Sequence, residues 1–276
     1  MTTGELSDRT ALVTGGASGI GRSIALGLAR RGANIALMSM SGGSPRRLPA
    51  ELKHFASARE LETTRTDICA LGGECLSFDG DVASEEDVAR TVEGTAEAFG
   101  GIDVLVNNAA TNCVHPVHEH DNQAWKRIID VNLYGAYLCT RATLPFMLRA
   151  KWGRVISIAS TNAHVGTPEY SAYAASKHGL LGFNRSLALE IADHGITANT
   201  ISPGIVETPS GALHLRKWAE REQLPTTELR ERFIQNYPAK RFIAPQEIAD
   251  LVCFLCDTRA AAINGEDIAI TTGAAF

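Results

Sequence analysis

The sequence lacks the features that mark membrane-spanning, secreted and nucleic-acid-binding proteins. No apolar run approaches the roughly 18 residues that a membrane-spanning helix needs, and the N-terminal segment does not place basic residues before an apolar core and a cleavage site. No long run of Lys and Arg occurs, and the formal net charge is −5, which disfavours binding to nucleic acid or anionic lipid. We therefore expect a cytoplasmic protein that acts on a small molecule and binds neither membranes nor nucleic acid.

Cysteine and histidine patterns typical of metal sites are also missing. The six cysteines are scattered through 276 residues, a chain too long to need disulfides for stability. Cys253 and Cys256 have C-x-x-C spacing but no second ligand pair, and they lie in a helical apolar pattern. His115, His118 and His120 cluster in an irregular stretch without an acidic or Cys partner at ligand spacing. We expect reduced core thiols and no metal, with a metal site as the disfavoured alternative.

What the sequence has is an alternation of short apolar, β-branched runs with longer segments of helical period. Seven such runs alternating with helices predict a parallel sheet, and their near-continuous apolarity indicates that helices cover both faces. No composition shift or repeat divides the chain, so the sequence predicts a single α/β domain over residues 1–276, a Rossmann-type doubly wound three-layer αβα sandwich. The runs are Ala11–Thr14, Ile35–Met38, Cys75–Phe78, Val104–Val106, Val155–Ile158, Thr197–Ile201 and Ile268–Ile270.

Two connections are too irregular or too long to be plain crossovers. The segment from Ser39 to Gly73 begins with a turn-rich stretch, and we interpret it as an excursion beside the adenosine end of a nucleotide. The stretch from Pro203 to about Thr227 follows the sixth strand, and we interpret residues 205–227 as an irregular lid over the substrate.

A glycine-rich turn joins the first strand to the first helix. It runs Thr14-Gly15-Gly16-Ala17-Ser18-Gly19-Ile20-Gly21, directly before helical residues. Glycines let the backbone turn tightly and approach a pyrophosphate, and the N-terminus of the following helix favours its negative charge. The strand before and the helix after favour a dinucleotide site over a ligand-free turn.

A possible acid/base pair opens a later helix. Tyr173 and Lys177 are four residues apart and therefore share a helix face, one turn from each other. A free Tyr has a pKa of about 10, so a nearby ammonium is needed to bring its proton transfer into the neutral range. Ser160 lies at the end of the strand Val155–Ile158, thirteen residues earlier. The four-residue spacing of Tyr173 and Lys177 is weak evidence by itself, and the presence of Ser160 strengthens the prediction of a catalytic site.

Together these motifs resemble the short-chain dehydrogenase/reductase family, whose fingerprint is T-G-x-x-x-G-x-G with Y-x-x-x-K. The resemblance implies that Tyr173 is the general acid/base, that Ser160 hydrogen-bonds the substrate oxygen, and that Lys177 lowers the Tyr173 pKa and holds the nicotinamide ribose. It further implies that Asn132 holds a water in a proton relay with Lys177. The expected reaction is the interconversion of a secondary alcohol and a ketone by direct hydride transfer.

The resemblance extends over essentially the whole chain and supplies the remaining cofactor contacts. Asp81-Val82 resembles the family's adenine-contacting segment, Asn107-Asn108-Ala109-Ala110 resembles its N-N-A-G, and Pro203-Gly204 through Thr208 resembles its P-G-x-x-x-T loop. The cofactor-binding residues that we expect are Gly15, Ser18, Gly19, Ile20, Gly21, Ser39, Asp81, Val82, Asn108, Ala109, Tyr173, Lys177, Pro203, Gly204, Val206 and Thr208.

The choice between the two nicotinamide cofactors follows from the end of the second strand. Family members that bind NAD place a carboxylate there, where this chain has Ser39. Family members that bind NADP have a basic residue at one of two positions, which are Ser18 and Met40 in this chain. Arg46 and Arg47, however, follow in the excursion. Neither pattern is complete, and we favour NADP(H) over NAD(H).

The substrate side of the site is less defined. By position, Asn112, Asn162, His164 and Tyr170 are expected to line the pocket. Glu169 and Tyr170 precede the catalytic helix where members acting on small hydroxy acids have a basic residue, which disfavours a small anionic substrate. Family resemblance implies a homotetramer, or else a homodimer.

Two other functions stay open from the sequence. A sensor or scaffold could keep the nucleotide site without chemistry, but it predicts a broken set of catalytic residues. An epimerase or dehydratase of the extended relatives shares the Tyr and Lys, but it generally needs a larger C-terminal substrate domain than the roughly seventy residues after Pro203 provide.

Overall fold

A computed structural model describes residues 5–41, 52 and 56–274. Its centre is one sheet in which all seven strands run parallel. The seven predicted runs all form strands, with ends that differ from the predicted ones by at most two residues. The strands are β1 (Thr10–Thr14), β2 (Asn34–Ser39), β3 (Cys75–Asp79), β4 (Val104–Asn107), β5 (Gly153–Ile158), β6 (Ile196–Pro203) and β7 (Asp267–Ile270).

The strand order decides where a ligand can bind. The order across the sheet is β3-β2-β1-β4-β5-β6-β7, so the chain reverses its direction of progress between β1 and β4. In such sheets the loops after the two strands at the reversal diverge to opposite faces and leave a crevice at their carboxyl ends. The glycine-rich turn follows β1, and Asn107 ends β4, so both lie at this crevice.

Nine α-helices surround the sheet in the described residues. A π-helical turn, Asp130–Tyr134, continues α4 into α5. The helices are α1 (Gly19–Arg30), α2 (Ala58–Ala70), α3 (Glu85–Phe99), α4 (Asn122–Ile129), α5 (Gly135–Ala150), α6 (Ser171–Ile191), α7 (Pro209–Glu222), α8 (Thr226–Asn236) and α9 (Pro245–Leu255).

Separate apolar clusters lie on the two faces of the sheet. One includes Ile24 of α1 and Val252 of α9, and the other includes Val92 of α3 and Leu138 of α5. Alternate residues of β1 point into the two clusters, which explains why its sequence is apolar throughout. The predicted fold class, a single doubly wound α/β domain with helices on both faces, is confirmed.

Other expectations can be compared with the described residues. Cys253 and Cys256 are 2% and 1% exposed within the core, as predicted, whereas Cys69 is exposed and does not lie in the core. Among the described residues, no group of three or more His, Cys, Asp or Glu side chains could hold a metal ion. No described helix has both the length and the apolar character needed to cross a membrane.

One of the two irregular connections differs from its interpretation. The stretch after β6 is not irregular, because Thr208 caps helix α7, whose 14 residues occupy most of the expected lid. Periodicity failed there because the helix is exposed and only Ala219 is buried. In the excursion, Leu52 packs against α4 and the start of α6. Arg46 and Arg47 lie outside the described residues.

Candidate functional site

The glycine-rich turn is held in shape by hydrogen bonds from the loop after β4. Asn108 Nδ2 donates to the carbonyls of Thr14 at 2.9 Å and Gly15 at 3.2 Å. Gly15 has φ of +64°, and a Cβ on Gly21 would lie 2.2 Å from the Gly15 carbonyl oxygen. These two positions therefore require glycine. The Asn108 side chain, predicted to contact the cofactor, is bound to the turn itself.

Thr14 links the two strands of the crevice. Its hydroxyl donates to the Val106 carbonyl at 3.2 Å and accepts from the backbone N–H groups of Asn108 at 3.0 Å and Ala109 at 3.1 Å. Sequence analysis did not single out Thr14. The signal was present, because Thr is the first letter of the fingerprint T-G-x-x-x-G-x-G.

The N-terminus of α1 fits an anionic ligand. Ser18 occupies its N-cap position, but its side chain makes no capping hydrogen bond, and the first turn has no acidic residue. Helices α2 and α3 differ, since Ser57 and Ser84 cap them and acidic residues follow. The first N–H groups of a helix have no partner within the helix. At α1 they and the helix dipole favour a pyrophosphate.

The loop after β6 forms the opposite wall of this cradle. Thr208 packs so near Gly19 that a Cβ on the glycine would lie 3.4 Å from the threonine side chain. Gly204 N–H donates to Ile270 O at 2.9 Å, and Val206 pairs with Ile243, so the loop is anchored to the sheet and to the segment before α9. Of the expected cofactor contacts, Ile20 lies in the first turn of α1 and Pro203 is the last residue of β6.

The far end of the crevice is polar. Ser39 ends β2, and Ser41 donates to the two carboxylate oxygens of Asp79 from its N–H at 2.8 Å and its hydroxyl at 2.5 Å. Asp81 is 3% exposed and forms an ion pair with Arg127 of α4 at 2.9 Å. Arg127 was not among the predicted residues, because nothing in α4 shows that its side chain reaches β3.

The predicted catalytic residues meet at the carboxyl end of β5. The Ser160 side chain lies beside the Tyr173 phenol, and the two side chains come from the loop after β5 and from the first turn of α6. Burial raises the pKa of Tyr173 above its ordinary value, and the neighbouring Ser160 side chain lowers it in part. The net direction is opposite to the lowering of this pKa that was expected from Lys177.

Lys177 lies one turn further along α6. Its Nζ donates to the Ile158 carbonyl at 2.7 Å and lies 5.6 Å from the centroid of the Tyr173 ring. The residue is 2% exposed, and burial lowers its pKa to about 8. The amine is thus fixed between the end of β5 and the tyrosine.

Asn132 lies in the π-helical turn, and its side chain is fully engaged. Oδ1 accepts from Thr111 N–H at 2.8 Å, and Nδ2 donates to Thr111 O at 3.0 Å and to Ser176 Oγ at 3.1 Å. The amide therefore positions the loop after β4 against α6. Asn132 also lines one small space together with Thr14, Val82, Asn107, Ala109 and Lys177.

The four predicted substrate-lining residues behave differently. The Tyr170 ring makes an edge contact with the Tyr173 ring at 6.3 Å, and Asn162 N–H donates to Ser160 Oγ at 3.2 Å, so both lie beside predicted catalytic residues. His164 instead bonds Asp267 of β7 at 2.7 Å, which directs its ring toward the edge of the sheet. Asn112 directly follows Thr111, the residue whose backbone is hydrogen-bonded to Asn132.

An ion pair joins the segment before α6 to α7. Arg221 donates to the carboxylate oxygens of Glu169 at 2.6 and 2.5 Å, and it holds the pKa of Glu169 below its ordinary value. Glu169 has φ of +68°, an unusual backbone conformation for a residue with a side chain. The sequence distance of 52 residues gave no signal for this contact.

Known proteins resemble this chain over nearly its whole length. Residues 15–275 match the family model described as enoyl-(acyl carrier protein) reductase. A D-beta-hydroxybutyrate dehydrogenase of Rhizobium meliloti is 34% identical over 96% of this chain and 98% of its own length. A 3-oxoacyl-(acyl-carrier-protein) reductase of Staphylococcus aureus is 33% identical over 96% and 97%. The chain belongs to the short-chain dehydrogenase/reductase family.

Solved structures of this family agree with the architecture. Levodione reductase superposes with a TM-score of 0.87 at 30% identity, covering 97% of this chain and 98% of the other. A variant of actinorhodin polyketide ketoreductase with NADPH gives 0.88 at 31%, covering 98% and 97%. The chain is therefore an oxidoreductase of the short-chain family that interconverts an alcohol and a ketone with a nicotinamide cofactor. These four relatives support neither a sensor nor an epimerase.

Proposed function

We propose that Tyr173 is the general acid/base of this short-chain dehydrogenase, with Ser160, Lys177 and Asn132 as its partners. In alcohol oxidation, the hydroxyl proton of the substrate passes to the Tyr173 oxygen while hydride leaves the carbon that bears the hydroxyl. Ketone reduction is the reverse of these two transfers. The bound nicotinamide accepts or supplies that hydride. Ser160 hydrogen-bonds the substrate oxygen, and so holds the reacting carbon in place.

One observation carries the proposal. The Tyr173 phenol, beside Ser160, lies one helical turn from the buried amine of Lys177, at the edge of the sheet where the uncapped N-terminus of α1 also lies. Proton transfer and dinucleotide binding can therefore occur in the same crevice. A positive charge on Lys177 favours the tyrosinate.

The proposed proton relay uses the backbone around Asn132 and not its amide. That amide is occupied by Thr111 and Ser176, so we assign the side chain to positioning the π-helical turn. Residues of this turn and Lys177 line one small space, and we assign the relay to the backbone of the turn on that side of Lys177. Residues 205–227, which contain α7, are the proposed lid.

The proposed cofactor is NADP(H) in preference to NAD(H). Ser39 offers no carboxylate to the adenosine ribose, and the carboxylate of Asp79 on the neighbouring strand is occupied by Ser41. The guanidinium of Arg127 lies 3.9 Å from Met40 Sδ, immediately after Ser39. The other expected cofactor contacts, from Gly15 to Thr208, remain those given by the family pattern.

We also propose a cytoplasmic homotetramer, with a homodimer as the alternative. No disulfide joins the described cysteines, which is typical of a reducing compartment. Two stacked tyrosines, Tyr134 and Tyr137, are 38% and 40% exposed, and β7 is an edge strand with an apolar sequence. Exposed apolar surface of this kind favours association.

The test is turnover of a panel of secondary alcohols and ketones with each cofactor, followed through the absorbance of the reduced nicotinamide. Tyr173→Phe removes only the reacting hydroxyl, so we expect it to lose about 10²- to 10⁴-fold in kcat while cofactor affinity stays unchanged. Unchanged turnover in this variant would exclude Tyr173 from the mechanism.

A further inference from the structure

Two buried oxygens, on segments that adjoin the proposed catalytic residues, have no hydrogen-bond partner among the described residues. Asn112 Oδ1 and Ser171 Oγ are both buried, and neither makes a hydrogen bond within the part of the chain that the structure describes. Buried polar atoms of folded proteins are nearly always paired, because an unpaired one destabilises the fold. Unpaired oxygens beside an active site are therefore candidates for pairing with a ligand.

Ser171 and Asn112 both lie next to residues of the proposed catalytic set. Ser171 is the first residue of α6, two positions before Tyr173. Asn112 follows Thr111, whose N–H and carbonyl are both bonded to Asn132. Ser171 is thus two positions from Tyr173, and Asn112 directly follows a residue that Asn132 binds.

The two segments form one wall. The backbone N–H of His115 donates to the Glu169 carbonyl at 3.1 Å, which ties the loop after β4 to the residues before α6. Cys113 and Ala172, the immediate neighbours of the two unpaired residues, pack in one apolar cluster with Leu52. The loop after β4 and the start of α6, which carry the two unpaired oxygens, are therefore packed against each other.

The chemistry of this wall favours a neutral ligand group. Asn112 Oδ1 accepts a hydrogen bond but cannot donate one, while the Ser171 hydroxyl can do either. A single substrate hydroxyl satisfies both, since it donates to the amide oxygen and accepts from the serine. A carboxylate has no proton for the amide oxygen, and the nearby guanidinium of Arg221 is already bound by Glu169.

We infer that this enzyme takes a neutral substrate that carries a second hydroxyl group beside the reacting alcohol or ketone, and that Asn112 and Ser171 select it. The inference rests on the proposed function. It narrows the substrate to hydroxyketones and polyols, and disfavours simple ketones and keto acids of the same size.

Three four-carbon ketones test the selection. Acetoin carries the second hydroxyl, butanone lacks it, and acetoacetate carries a carboxylate. We expect kcat/KM for acetoin to exceed that for each of the other two by about tenfold or more, because a site built for a hydroxyl leaves its polar atoms unpaired with the others. Equal reduction of acetoin and butanone, or a preference for acetoacetate, would overturn the inference.

Two variants connect the selection to the wall. Asn112→Ala and Ser171→Ala should each lower the ratio of acetoin to butanone by several-fold, and the double variant should bring it to about one. A change that affects both ketones equally would contradict a role in selection. Gln246→Ala is the control, because its amide only bonds Asp250 on the exposed side of α9, and it should leave the ratio unchanged.

A stability measurement is independent of turnover. Since the Ser171 hydroxyl has no partner in the ligand-free chain, Ser171→Ala should leave Tm unchanged or raise it. A fall of several degrees would mean that the hydroxyl is already paired, and would overturn the inference. If wild type reduces no ketone with either cofactor, the proposed function itself fails, which differs from reduction of butanone and acetoin at equal rates.

Discussion

The amine of Lys177 lies 5.6 Å from the centroid of the Tyr173 ring and is held there by the carbonyl of Ile158. The pKa values of the two residues shift in opposite directions, because burial raises the pKa of Tyr173 and lowers that of Lys177 to about 8. Below that pH the amine is charged, and its charge faces the tyrosine.

Lys177→Met should remove that charge while keeping the length of the side chain. We expect kcat/KM for alcohol oxidation to fall by about 10²-fold and its pH profile to move to higher pH, because the tyrosinate loses its cation. The measurement is kcat/KM against pH for oxidation and reduction. A profile that keeps its shape and position would show that Lys177 does not tune the tyrosine.

Stability should depend on pH through the same amine. Its pKa is about 8 in the folded chain and 10.5 as the ordinary value. Below pH 8 the charge is buried at a cost, and between these values the unfolded chain holds more protons than the folded one. Wild type should therefore gain up to about 3 kcal/mol relative to Lys177→Met as pH rises through this window. Urea unfolding at several pH values measures this difference, and a constant difference would contradict it.

Gly21→Ala should damage the cofactor cradle. The added Cβ would meet the Gly15 carbonyl at 2.2 Å and Asn108 Nδ2 at 2.6 Å, so the turn must shift. We expect a loss of cofactor affinity of at least about tenfold, together with a lower Tm. Fluorescence titration with the reduced cofactor measures the affinity.

Gly182→Ala is the matched control for that variant. Gly182 lies within α6, and a Cβ there meets nothing within 4 Å. The change should stabilise the fold by about 0.5–1 kcal/mol and leave affinity unchanged. Equal cofactor affinities for the two variants would show that the close approach of Gly21 to Gly15 is not needed for cofactor binding.

Ser39→Asp should exchange the cofactor preference. A carboxylate at the end of β2 accepts hydrogen bonds from the ribose hydroxyls of NAD and repels the additional phosphate of NADP. We expect NADP(H) affinity to fall by about tenfold or more and NAD(H) affinity to rise. Ser39→Asn, which is neutral and of similar size, is the control and should keep the wild-type preference. A wild type that already prefers NAD(H) would contradict the proposed cofactor.

Arg221→Gln should loosen α7 without unfolding the chain. The pair with Glu169 is exposed on the Arg221 side, so we expect it to contribute no more than about 1 kcal/mol to stability. Hydrogen exchange in α7 should nevertheless increase, and KM should rise more than kcat falls. Arg232→Gln, whose pair with Glu228 stays within α8, should change neither. Identical exchange in the two variants would argue against a lid.

Much of the site could be predicted because its signals are local in the sequence. The turn from Thr14 to Gly21 and the four-residue spacing of Tyr173 and Lys177 depend on one strand, one turn and one helix. The helix α7 could not be predicted in the same way, because its exposed faces leave no apolar period. Arg127 and Arg221 were missed because long side chains reach partners that no spacing reveals.

The sequence by itself determined the parallel sheet, its seven strands, the family and the residues expected to do the chemistry, since periodicity and motif spacing follow from backbone geometry. Only the tertiary structure decided which polar groups have partners. It bound the amides of Asn108 and Asn132 to the protein itself, turned His164 toward Asp267, and left oxygens of Asn112 and Ser171 unpaired. The reason is physical: hydrogen bonding depends on which atoms meet across distant segments, and that depends on how the segments pack.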